Sequence, residues 1–279
     1  MSTPPERVGT QRLMERHGIR ADTDLGQHFL LDENLVDLAV RMAQVGPDDV
    51  VLEVGAGLGT LTAALGRAAR AVHAMEVDPR MEAPLAEATQ GLPGVQVHWG
   101  DCMKVPLEDL DPAPTAVVSN LPYHVATPVL VETICRLPLV TRWALMTQRE
   151  VADRWLAAPG SRMYGGPSVI VQLACRATGR RTVGREVFSP RPRVDSALVG
   201  LRRVAPAPDA ATRTLVRAAF SARRKTLANA LGQAGADRDA VRDALRGMGL
   251  PEAARPEQLE PAAYPALAAA IGWTAGAGA

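Results

Sequence analysis

The chain has 279 residues, 47% hydrophobic, 22% charged and 4% aromatic, a composition that excludes disorder and leaves room for one α/β core with a smaller attached unit. No run approaches the roughly 18 consecutive apolar residues of a membrane helix, and residues 1–20 are charged throughout without an apolar signal core. Cys102, Cys135 and Cys175 match neither a zinc spacing nor a disulfide framework, so the expectation is a cytoplasmic protein with reduced core cysteines and no metal. The net charge of +1 sums two opposed regions: residues 139–230 carry 17 Lys and Arg against 5 Asp and Glu, so this stretch has the charge of a phosphate-binding surface and the remainder is acidic.

Strand-like apolar runs at Val50–Val54, Ala71–Glu76, Val95–Trp99, 115–119 and 142–147 alternate with helix-length segments. That alternation predicts a parallel, doubly wound sheet, which binds ligands at the carboxyl ends of its strands. After Gln148 the pattern predicts a helix through Trp155, a Pro/Gly loop over 159–167, a helix over 168–174, and two late strands at 178–183 and 196–204 completing the sheet as an antiparallel edge hairpin. Residues 205–208, Ala-Pro-Ala-Pro, read as a linker. Helical periodicity over 211–234, Arg238–Gly247 and 261–271 then predicts a small bundle with a flexible Ala/Gly tail. The expected organisation is a ligand-binding domain over 1–204, a linker over 205–208 and a helical domain over 209–279.

The first strand runs into Gly55-Ala56-Gly57-Leu58-Gly59, glycines that permit unusual φ angles and close backbone approach. A dinucleotide fingerprint needs its third glycine at position 60, which is Thr60, so the spacing argues against a nicotinamide-type oxidoreductase. S-adenosylmethionine lacks a phosphate and carries a sulfonium, and it calls for acidic acceptors instead. Glu76, at the end of the second strand, is placed to accept from ribose hydroxyls, and Asp101, after the third, to accept from the adenine amine. Glu53, inside the first strand, reads as an ordinary structural acid.

The fourth strand ends at Asn120-Leu121-Pro122-Tyr123. An adenine amine is a weak nucleophile because its lone pair is delocalised into the ring. The amide oxygen of Asn120 and the backbone oxygen of Leu121 are suited to hold the amine hydrogens and aim the nitrogen, with Pro122 biasing Leu121 to an extended conformation and Tyr123 stacking on the base. No dedicated strong base is needed.

Together these pieces resemble the ribosomal RNA adenine dimethyltransferases, a family that includes the kasugamycin-sensitivity enzymes of the small subunit. The resemblance runs from Gly26-Gln27-His28-Phe29-Leu30 to the late helices. It is most specific in Asn120-Leu121-Pro122-Tyr123, then Gln148-Arg149-Glu150-Val151-Ala152, Tyr164-Gly165 and Phe188-Ser189-Pro190-Arg191-Pro192-Arg193-Val194-Asp195-Ser196. It implies a Rossmann-like class I methyltransferase sheet with a small C-terminal all-helical domain. The implied cofactor contacts are His28, Leu30, Gly55, Gly57, Glu76, Asp101 and Asn120, with Phe188 facing Tyr123 across the target base. The family usually has Asn where His28 and His124 stand here. The segment Phe220-Ser221-Ala222-Arg223-Arg224-Lys225-Thr226-Leu227 resembles the small-subunit branch, with Arg223, Arg224 and Lys225 as RNA contacts at the start of a helix. The implied substrate is a pair of adjacent adenosines in the 3′-terminal hairpin of 16S rRNA, each methylated twice within the immature 30S subunit. The implied protein is a monomer with no membrane or DNA partner. A large-subunit resistance methylase and a non-catalytic assembly factor are the competing readings; the first is disfavoured by residues 220–227, the second by the intact acids and turn.

Overall fold

The computed structural model describes residues 8–22 and 25–276. The chain forms two compact units. The first is the chain up to Ala152 with Ala177–Arg203; the second is Asp153–Arg176 with the chain from Val204 onward.

In chain order the elements are α1 (Thr10–His17), β1 (Phe29–Leu30), α2 (Glu33–Met42), β2 (Val50–Val54), α3 (Thr60–Ala68), β3 (Ala71–Glu76), α4 (Glu82–Ala88), β4 (Val95–Trp99), β5 (Ala116–Asn120), α5 (Ala126–Arg136) and β6 (Arg142–Gln148). They continue with α6 (Arg149–Trp155), α7 (Gly166–Ala174), β7 (Cys175–Val183), β8 (Phe188–Ser189), β9 (Ser196–Arg203), α8 (Ala210–Ser221), α9 (Leu227–Gln233), α10 (Arg238–Gly247) and α11 (Ala263–Ala270).

The main sheet has seven strands in the order β4-β3-β2-β5-β6-β9-β7. Pairings from β4 through β6 are parallel, and β9 runs antiparallel to β6. The late strands therefore close one edge, as their spacing predicts. β2 is buried along its whole length, as expected of a parallel strand covered on both faces. The chain leaves β2 for β3 and β4 on one side and for β5 on the other, so the topology switches between β2 and β5. There the β2–β5 ladder runs only through Val51↔Ala116 and Leu52↔Val117. Beyond it the Ser119 hydroxyl takes over, accepting from Val54 N at 2.9 Å. A side chain satisfies the amide as the strands part, and the parting opens a crevice at their carboxyl ends.

Two short elements that periodicity does not reveal brace this crevice. β1 pairs antiparallel with β8 through Phe29↔Ser189 and Leu30↔Phe188. Thr10, in α1, donates to Leu30 O at 2.7 Å and shares a 2.8 Å hydrogen bond with Thr60 at the start of α3. Leu30 and Phe188 join Val36, Val51, Val118 and Met146 in one core cluster.

The second unit differs from the expected helical domain by including residues 153–176. Tyr164 donates to Leu259 O at 2.9 Å, and its ring meets Phe220 edge-on, so the segment is packed among the late helices. The expected helix over 211–234 is two helices, broken at 222–226 where Ala222 leaves helical geometry and the Thr226 side chain caps α9. Trp273, in the stretch read as a tail, is buried and donates to Thr214 Oγ1 at 3.0 Å; residues 277–279 lie outside the described residues. Cys102 and Cys175 are buried, whereas Cys135 is only half-buried. Among the described residues no helix is long and apolar enough to cross a membrane.

Gly59, which caps α3 at φ +85°, is the tightest of the loop glycines: a Cβ there would lie 2.7 Å from Leu85 Cδ1 and 2.9 Å from Ala88 Cβ in α4. Gly59→Ala is expected to lower stability by about 1–3 kcal/mol, read as a fall in urea midpoint with an unchanged m-value.

Candidate active site

A cleft opens at the β2–β5 switch, where an open α/β sheet binds its ligands. Of the residues expected there, His28, Leu30, Gly55, Gly57, Glu76, Asn120, Leu121, Pro122 and Tyr123 line it. Thr10 and Glu53, not expected as site residues, line it too.

The glycines differ in what they do. Gly55 and Gly57 have φ of +78° and +54°; a Cβ on Gly55 would sit 3.4 Å from Pro122 Cδ, and one on Gly57 would sit 3.3 Å from the Phe29 ring. The first two glycines thus let the loop lie against the Asn-Leu-Pro-Tyr turn and the β1 segment. The third serves helix packing.

Glu76 is buried at the tip of β3. Its Oε2 accepts from Gly57 N at 2.7 Å, and its Oε1 accepts from Val77 N and Asp78 N at 2.9 Å each. A carboxylate offers about four acceptor positions, so one position on Oε2 is left for a ligand hydroxyl. Asp101 follows β4, beside Glu76 through the 2.8 Å bond from Gly100 N to Glu76 O. Its carboxylate accepts from Met103 N at 2.9 Å, and Asp101 does not line the cleft.

Asn120 Nδ2 donates to the backbone carbonyl of His28 at 3.1 Å. Because a carbonyl can only accept, this bond settles which end of the amide is nitrogen. The Asn120 oxygen is therefore the atom left for a ligand's donor. Leu121 N donates to Met146 O at 2.9 Å, anchoring the turn to β6.

The Tyr123 hydroxyl meets the buried Ser196 hydroxyl at 3.2 Å. Burial pushes the Tyr123 phenol above its usual range and Ser196 draws it part of the way back, so the ring is a neutral stacking face at physiological pH. Ser196 ends the Phe188–Ser196 motif, and this bond gives its hydroxyl a purpose that spacing alone does not disclose.

Phe188 is not where the resemblance implies. It is 4% exposed, packed with Leu30 in the core, and does not line the cleft. The ring stacked on Tyr123 is His28, with centroids 5.3 Å apart and planes at 29°.

Glu53 is 1% exposed, and its Oε2 has no hydrogen-bond partner. Burial pushes its carboxyl up to about 8, the Thr62 hydroxyl opposes the rise and the charge of Glu76 adds to it. An unpartnered acid in the cleft wall suits a cationic ligand group. The signal available in the sequence was an acid inside an otherwise apolar buried strand.

The three basic residues lie in the second unit and are not equivalent. Arg223 donates to the carbonyls of Arg162 and Ser161 at 2.8 and 3.1 Å and faces Glu257 at 3.8 Å, whereas Arg224 and Lys225 are exposed. Arg223 is thus occupied in holding its own loop, leaving two cations presented to solvent.

Comparison with known proteins adds to this picture. The ribosomal RNA adenine dimethylase family model matches residues 18–258. The chain is 44% identical to the ribosomal RNA small subunit methyltransferase A of Kineococcus radiotolerans over 92% of this chain and 88% of that one. It is also 44% identical to the protein of the same name from Thermobifida fusca over 89% of this chain and 90% of that one. Among solved structures, a dimethyladenosine transferase from Plasmodium falciparum is similar with a TM-score of 0.73 and 26% identity, over 86% of this chain and 96% of that one. The 23S rRNA methyltransferase ErmE is similar with a TM-score of 0.63 and 28% identity, over 88% and 99%.

Glu53 makes stability depend on pH. Its folded value of about 8 lies above the ordinary 4.5, so the stability gained by keeping the proton is complete below 4.5 and is lost as pH rises toward 8. Urea midpoints are expected to fall over that window in the native protein and to stay flatter in Glu53→Gln.

Proposed function

We propose, from the premise that the chain belongs to the ribosomal RNA adenine dimethylase family, that it dimethylates the N6 amine of two adjacent adenosines in the 3′-terminal hairpin of 16S rRNA. It does so as a cytoplasmic monomer acting on the immature 30S subunit late in assembly, with S-adenosylmethionine as methyl donor. The observation that carries the reading is the fixed orientation of Asn120, which leaves an amide oxygen as acceptor at the switch point of a methyltransferase sheet.

The residues fit the cofactor. The free position on Glu76 Oε2 suits a ribose hydroxyl, the backbone of Gly55 and Gly57 allows close approach, and the unpartnered Glu53 oxygen suits a cationic group. His28 and Leu30 border the same space; Asp101, outside the cleft lining but joined to Glu76 through Gly100, is the acceptor the family resemblance assigns to the base amine. S-adenosylmethionine, when bound, supplies a methyl group carried on a positively charged sulfur.

The protein's own part is to hold and aim the amine. Asn120 Oδ1 accepts one amine hydrogen, and the Leu121 carbonyl accepts the second. Held this way, the nitrogen lone pair is drawn out of conjugation with the ring. Tyr123 supplies a neutral face for the base, worth about 1–3 kcal/mol in stacking. An adenine inside a helix hides its amine, so the target is a loop base or one turned out of its stack. Arg224 and Lys225 contact phosphates, while Arg223 keeps their loop in place.

The small-subunit assignment is supported by the relatives at 44% identity, against 28% for the 23S rRNA enzyme, and by the Arg223-Arg224-Lys225-Thr226 segment.

Incubation with methyl-labelled cofactor and undermethylated 30S particles is expected to place label in dimethyladenosine of the 3′-terminal hairpin; label in 23S rRNA instead would overturn the assignment. Asn120→Ala and Tyr123→Ala are each expected to slow transfer at least about a hundredfold while 30S binding persists. Arg224→Glu with Lys225→Glu is expected to weaken binding and reduce the slope of log affinity against log salt by about 1 to 2; an unchanged slope would remove these residues from the RNA surface.

A further inference from the structure

Tyr123 is the only aromatic ring of the turn, and the face it offers is already taken. His28 stacks on it at 5.3 Å between centroids. A base sandwiched between two rings needs contact spacing on both sides, about 7 Å in all, so no third ring fits between these two. The imidazole is also tethered: Nδ1 donates to the carbonyl of Pro190 at 2.8 Å, and the His28 backbone carbonyl receives the Asn120 amide. The backbone on either side of this tether is bound in the β1–β8 pair, Phe29↔Ser189 and Leu30↔Phe188. His28 is thus held by its ring, its carbonyl and its neighbours.

We propose that His28 is a stand-in for the target base: in the free protein its ring occupies the base's seat on Tyr123, and the incoming adenine displaces it. This inference rests on the reading of the cleft as the seat of a target adenine. The backbone carbonyl of His28 stays on Asn120 throughout, so the acceptor that aims the amine is kept while the ring swings off. The swing breaks the bond from Nδ1 to the Pro190 carbonyl. The stand-in keeps the apolar face of Tyr123 covered until substrate arrives, and it charges every incoming base the same toll. It therefore weakens ground-state binding without altering discrimination between bases.

The ring of His28 reports its own position. Stacking on a phenol shifts its carbon-bound proton resonances upfield, and those of the five histidines are assignable by single replacement. The probe is a short adenosine-containing oligoribonucleotide, added to the full-length protein with S-adenosylhomocysteine present. The expected result is that His28 resonances lose the upfield shift as the oligonucleotide saturates, reaching the positions they hold in Tyr123→Leu. His28→Ala and His28→Asn, compared at saturating cofactor with cofactor affinity measured separately, are expected to bind the oligonucleotide roughly three- to tenfold more tightly, the worth of one aromatic stack. His28→Phe, which stacks but cannot bond Pro190, is expected to fall between them and the native protein. Binding that depends on Tyr123 while the His28 resonances stay put would overturn the stand-in and leave the adenine seat intact. Binding indifferent to Tyr123→Leu would overturn both.

Discussion

The hydrogen bond from the Asn120 side chain to the carbonyl of His28 fixes which end of that amide is free to meet a ligand. An amide presents either a donor or an acceptor to a ligand, and an amine target needs the acceptor. The His28 carbonyl makes the choice, and the rest of the first unit holds that carbonyl in place. The β1–β8 pair fixes the strand that begins at the next residue, Thr10 bonds to Leu30 two residues on, and Gly55 lets the β2 loop close against Pro122. The seven-stranded sheet supplies the tip of β5; a two-residue strand supplies its orientation.

The acids around the cleft show how burial divides labour between groups of one chemical type. Glu76 accepts three backbone donors, which tie the glycine loop to the tip of β3 and leave a single position for a ligand. Glu53, one strand away, has an oxygen with no partner and a carboxyl pushed up to about 8. One acid organises the glycine loop before any ligand arrives; the other leaves a buried oxygen without a partner in the cleft wall.

Much of this was readable from residues alone, and the failures have physical causes. The five parallel strands announce themselves as apolar runs bounded by glycine, acid and amide, and the tetrapeptide after the fourth of them lines the cleft. β1 and β8 do not announce themselves, because two residues carry no period. Phe188 was expected across from Tyr123, but nothing in a motif says which side of a two-residue strand a ring takes, and the core claimed it. Arg223 sits in a run of three cations that looks uniform in sequence; only the fold shows that the Ser161 and Arg162 carbonyls claim one of them. The helix expected over 211–234 is split because Thr226 serves as a cap, a role that a threonine within an apolar helical period does not announce.

The decisive feature is where the Asn120 oxygen points when a substrate is in place. A crystal structure of the protein with a non-reactive cofactor analogue and an adenosine-containing oligonucleotide measures this directly. The adenine N6 is expected within about 3.2 Å of Asn120 Oδ1, with Nδ2 still on the His28 carbonyl. An N6 bound elsewhere in the cleft, or an Asn120 amide turned away from it, would show that Asn120 does not aim the amine.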